Sequence, residues 1–141
     1  MANYDASSNN SSKTGNRVFS DLNLDFTRNA VTNDITKIKG VEAVKRSVRN
    51  LVNTATYERP FHPELGCGIR ELLFENFTPI TGMFIRRKLE EVITNYEPRA
   101  RLADLSVSEK QDKNAIEVTI SFYVLNMPQP VSVTTLLQRV R

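Results

Sequence analysis

The chain is poor in the residues that chemistry most often needs. It holds one cysteine (Cys67), one histidine (His62) and no tryptophan. A single cysteine excludes an internal disulfide, and one His with one Cys falls short of a closed zinc site without carboxylate help. Cys67 stands between Gly66 and Gly68 and reads as a small residue in a turn. That Gly-Cys-Gly also lacks the further glycine and the preceding strand of a dinucleotide-binding loop. With one histidine there is no Ser-His-Asp order in a nucleophile-elbow context. No run approaches the ~18 apolar residues of a membrane span, and the polar start has no secretion signal. Net charge is only +3, from 19 basic and 16 acidic residues spread along the chain. A nucleic-acid binder would carry a denser basic patch with aromatics among its charges. These absences predict no catalytic residue, metal or cofactor, no membrane and no nucleic acid, and synthesis in the cytoplasm.

What is present is ordinary for a globular protein: 40% hydrophobic and 25% charged residues over a length of 141. That length suits one domain able to bury about two thirds of its unfolded surface. Residues 1–16 are rich in Ser, Asn and Thr and nearly without apolar side chains, so ordering them costs backbone entropy with little burial in return. They are expected to form a disordered polar tail, followed by a single domain at 17–141.

Two amphipathic helices stand out. Val41, Val44, Val48, Leu51 and Val52 recur at helical spacing after Gly40, with Glu42, Lys45, Arg46 and Arg49 facing away. The second runs from Thr78, a capping residue, and Pro79, suited to the first helical position. Ile85, Leu89, Val92, Ile93 and Tyr96 make its stripe, and Pro98 ends it at Glu97. Between the two helices, 57–68 reads as an ordered loop with Phe61 and Leu65 pinned to the core. Ile69, Leu72, Leu73 and Phe77 suggest a short third helix ending near Asn76. Glu97 at a helix C-terminus opposes the dipole and calls for a cation or N–H donors. Arg99, with its planar fork, stands two residues on. The pair serves either a partner chain or an internal ion pair.

Strand periodicity appears in three places. Leu22, Leu24 and Phe26 alternate with polar residues, as for a short strand with one face inward, and 29–39 reads as a polar connection. Ala103, Leu105 and Val107 alternate before a polar turn at 110–114. Ile116, Val118, Ile120, Phe122 and Val124 then share one face, so the two runs predict a hairpin. Val131 to Leu137 reads as a third strand, with a short helix as the alternative. The expected fold is α+β: two main helices and a short one packed on a small, mainly antiparallel C-terminal sheet. A last strand with an unpaired edge is a liability unless a partner strand uses it, and Arg139 and Arg141 are the alternative, blunting it. Glu58, Glu64, Glu75 and Glu97 are the carboxylates available for sugar cleavage, but nothing marks a cleft to hold a substrate.

Three blocks in fixed order go further: Glu58-Arg59-Pro60-Phe61-His62-Pro63-Glu64-Leu65-Gly66-Cys67 after a helix ending in Asn50-Leu51-Val52-Asn53-Thr54; Leu72-Leu73-Phe74-Glu75-Asn76-Phe77-Thr78-Pro79; and Asn95-Tyr96-Glu97-Pro98-Arg99. Together they resemble the baseplate wedge proteins of contractile-tailed phages, also called sheath initiators, over roughly residues 20 to 137. The bacterial type VI secretion baseplate has a similar subunit. The resemblance implies a structural, non-enzymatic protein of the virion, assembled in the host cytoplasm, next to the tail tube. It implies that Glu97, Pro98 and Arg99 contact the helical bundle of neighbouring wedge subunits. It also implies that the tail sheath protein adds strands to the C-terminal sheet, with Ile116, Val118, Ile120, Phe122, Val131 and Val133 as the candidate interface. The family has often been labelled lysozyme-like, so a peptidoglycan hydrolase of the tail is the alternative.

Overall fold

The computed structural model describes residues 19–125 and 127–138. The tail expected at 1–16, and Arg139 and Arg141, lie outside the described residues. The elements run β1 (Ser20–Leu22), β2 (Lys37–Lys39), α1 (Val41–Asn53), α2 (Ile69–Leu72), α3 (Pro79–Tyr96), β3 (Ala100–Lys110), β4 (Ala115–Val124) and β5 (Pro130–Gln138). The fold is α+β. β1 and β2 make an antiparallel ribbon, and β3-β4-β5 form an antiparallel sheet with β4 in the centre.

The strongest periodicities produced the expected elements. Val44, Val48 and Val52 on α1 and Ile85, Leu89, Val92 and Ile93 on α3 are buried. They meet Leu105, Ile116, Val118, Ile120, Phe122, Val133 and Leu137 from the sheet in one apolar cluster. α3 lies against β3, and α1 against β5 and α3. Four valines make α1 a weak helix by propensity, so this packing is what holds it. Gly40 precedes α1 at φ +62°, a left-handed position that other residues enter at a cost. At α3, the Thr78 hydroxyl accepts from the Thr81 N–H at 3.2 Å, and Pro79 occupies the first turn, where a missing N–H costs nothing. Val131–Leu137 is a strand, not a helix: Val133, Thr135 and Leu137 alternate inward and Leu136 outward.

Five expectations are corrected. Leu22, Leu24 and Phe26 do not face a core; they are 50%, 47% and 65% exposed. Among the described residues β1 pairs only with β2, which lies within the stretch read as a mere connection, and a three-residue strand gives too little pattern to see. Phe61 does not pin the 57–68 loop, being 96% exposed. Cys67 does that work, buried, with its N–H on the Thr54 carbonyl and its thiol on that of Leu51. α2 is a single turn and stops at Leu72, short of Asn76. Ala103 is exposed because the β3–β4 register slips between Leu102 and Asp104. The bulge inserts one residue, so Ala100 and Leu102 face inward before it and Leu105 and Val107 after it.

Candidate assembly surface

α3 ends where Glu97 leaves helical geometry, still donating its N–H to the Ile93 carbonyl. Its carboxylate turns back under the helix and is 2% exposed. Arg99 closes on it with both arms of the guanidinium, Nε to Oε1 at 2.6 Å and Nη2 to Oε2 at 2.8 Å. The remaining corner, Nη1, donates to both carboxylate oxygens of Asp21 at 3.0 Å. The Arg99 plane also lies 5.6 Å from the Phe19 ring centroid, within cation–π reach. Burial pushes the Glu97 carboxyl up; hydrogen bonds from Arg99 and Ser47, with the Arg99 charge, outweigh it and hold the group below the usual carboxylate range. Arg99 is in turn held more firmly protonated, first by its hydrogen bond to Glu97.

The structure therefore brings Glu97 and Arg99 together inside the chain. What the turn offers outward is Pro98, which is exposed, and the open side of Arg99 and Asp21, whose side chains are 22% and 36% exposed. Sequence reasoning missed Asp21, Ser47 and Phe19. Asp21 lies 78 residues from Arg99, and no local spacing encodes a contact of that range.

The strand-addition set divides. Ile116, Val118, Ile120 and Phe122 lie on the central strand with their side chains in the core, and β4 is paired on both edges. They support the sheet and cannot themselves take a strand. Val131, half-buried, and Val133, buried, lie on β5, which among the described residues pairs only with β4. The two outer strands differ. β3 carries Arg101, Asp104, Glu109, Lys110 and the bulge, all of which blunt an edge. β5 is nine residues long and carries no charge. Two concavities of about 420 and 390 Å3 adjoin it. One lies between Ser132–Thr134 and the α1 side chains Glu42, Lys45, Arg46 and Arg49; the other lies between Leu136–Gln138 and Asn53, Arg70 and Phe74.

The hydrolase carboxylates are engaged elsewhere. Glu58 Oε2 accepts from the Ala55 N–H, Glu64 faces His62 at 3.2 Å, and Glu97 is paired with Arg99. No group of three His, Cys, Asp or Glu side chains among the described residues is placed to hold a metal. Among those residues, too, no helix is long and apolar enough to cross a membrane.

Fold and surface together describe a small α+β domain with a locked helix terminus and an uncharged outer strand that, among the described residues, pairs on one side only. Residues 39–129 match the family model described as baseplate wedge protein gp25. The chain is 31% identical over 116 residues to baseplate wedge protein gp25 of Enterobacteria phage T4, covering 82% of this chain and 87% of that one. It belongs to the baseplate wedge protein gp25 family, structural proteins of phage tail baseplates. Two solved structures share the fold at 23% identity. One is a chain of the anti-feeding prophage baseplate, with TM-score 0.61 over 87% of this chain and 88% of that one. The other is a Geobacter sulfurreducens protein described as a candidate tail lysozyme, with TM-score 0.63 over 70% of this chain and 91% of that one. At that identity the likeness carries the fold alone.

Proposed function

We propose that this chain is a non-enzymatic building block of a baseplate wedge in the virion of a contractile-tailed phage, next to the tail tube, assembled in the host cytoplasm. It docks on neighbouring wedge subunits through the Glu97-Pro98-Arg99 turn and starts sheath assembly by accepting a strand of the tail sheath protein on β5. The observation that carries this reading is the outer edge of β5, unpaired among the described residues: nine residues long, uncharged, and beside two concavities. An edge of that kind invites pairing with another chain, and main-chain hydrogen bonds then supply affinity without a preformed pocket. The ion pair under Pro98 supports the docking role differently: it fixes the turn before a partner arrives, so less ordering entropy is lost on contact.

The experiment uses Ser132→Lys/Thr134→Lys, two exposed positions on β5. Edge lysines oppose strand addition and leave the core intact. Baseplates assembled with this variant should incorporate the subunit normally but fail to nucleate sheath from purified sheath protein in a co-sedimentation assay. Sheath growth at the wild-type rate sinks the strand-addition reading.

A further inference from the structure

α3 has two apolar sides. One is the buried stripe already described. The other is its outer face, where Ile80, Met83 and Phe84 are 65%, 69% and 62% exposed. These positions, with Arg87, stand at i, i+3, i+4 and i+7, one continuous stripe over the first turns of the helix. A helix facing only water keeps that side polar. The three side chains line a shallow concavity of about 410 Å3, rimmed by Arg86, Arg87 and Glu90. Arg86 leans toward Asp104 at 3.8 Å, whereas Arg87 has no ion-pair partner among the described residues.

We propose that this outer face is a second docking surface, separate from the Glu97 turn at the other end of α3, and that it receives an acidic-flanked amphipathic helix of another baseplate subunit. The inference rests on the baseplate reading. The apolar ridge of such a helix would seat on Ile80, Met83 and Phe84, and its acidic flank would meet Arg87 and Arg86. Helix-in-groove recognition uses the same i, i+3, i+4, i+7 anchors. Charge decides among the occupants. A second copy crossing antiparallel at Met83 and Phe84 sets Arg87 beside Ile80, with no counter-charge. The chain's own residues 1–18 hold Asp5 against Lys13 and Arg17, so they add positive charge to a positive rim.

The test places p-benzoylphenylalanine at Phe84, and separately at Met83, in the full chain within assembled tails. Photolysis and mass spectrometry then identify the captured peptide. An acidic-flanked helical segment of another subunit is the expected product. Capture of residues 1–18, of a second copy, of lipid, of a segment without acidic residues, or of nothing from either position overturns the proposal. Arg87→Glu should lower incorporation about tenfold, and an acid-to-lysine change in the captured segment should restore it. No loss, or a loss that is not restored, counts against the charge pairing. Wild-type chain missing from purified tails defeats the baseplate reading itself; wild-type chain present with neither probe capturing a partner defeats only this second surface.

Discussion

Arg99→Ala is the perturbation that reaches furthest into this fold. It strips Glu97 of both hydrogen bonds from the guanidinium, frees Asp21, and removes the cation beside Phe19. Glu97 stays buried and charged, and breaking a buried pair from one side costs about 3–5 kcal/mol. The Arg99 side chain is itself 22% exposed, so the low end, about 3 kcal/mol, is expected. For a domain of this size that lowers Tm by roughly 10 °C. The sign of the pH dependence changes as well. In the wild type the Glu97 pKa is depressed, so its contribution is present above the unfolded carboxylate value of ~4.3 and is lost as pH falls through the folded value. Without Arg99, burial dominates and raises the carboxyl. Stability is then full below ~4.3 and declines as pH rises through the raised value. Urea unfolding followed by circular dichroism from pH 4 to 7 reads both effects: the variant should gain stability on acidification where the wild type does not. Adding Glu97→Gln to the variant should recover part of the loss at pH 7. A loss under about 1 kcal/mol, or parallel pH curves, refutes the argument.

Further tests address the core and the loop. Burial pushes the Cys67 thiol up to about 12, with Lys88 opposing weakly, against ~8.5 in an unfolded chain. Stability should therefore be intact below ~8.5 and fall with rising pH by about 1.4 kcal/mol per unit up to the folded value, a slope that Cys67→Ala should abolish in alkaline melts. Native Cys67 should react with a maleimide only as fast as the protein opens, as measured by mass spectrometry against a denatured control. Gly66→Ala should destabilise by about 1–3 kcal/mol in a thermal melt, since φ is +126° and the added Cβ would meet the Ala55 carbonyl oxygen at 2.6 Å. Thr135→Val should stabilise by roughly 1 kcal/mol in the same assay, because the Thr135 hydroxyl is buried without a partner among the described residues. Phe122→Ala, at the centre of β4, should cost about 3–5 kcal/mol and is the control for a true core loss. Deleting 131–141 is a poor test of strand addition, because it also removes Val133 and Leu137 from the core.

Local patterning carried α1, α3 and β4, whose periods repeat long enough to mark one face; it placed β3 and β5 as strands, with a helix left open for β5 and the inward face of β3 misjudged at Ala103. For Glu97 and Arg99 the sequence left a partner contact and an internal ion pair both open; the two residues stand only two apart, and the structure pairs them with each other. β1 and β2 were not legible, being three residues each. Phe61 looked like a core residue by type alone, whereas the turn geometry around it, with φ +70° at Phe61 itself, carries the ring outward.

By itself the sequence determined the helices α1 and α3, the alternating face of β4, and the family to which the order of its motifs belongs. Tertiary structure decided that β4 is the covered centre and that β5 is an outer strand paired, among the described residues, with β4 alone, that the slip at Ala103 reverses the face of β3, and that Asp21 completes the Arg99 site from 78 residues away. The physical reason is range. Periodicity reports the few residues around a position, while strand order and long-range ion pairs are chosen by how all the buried faces pack at once.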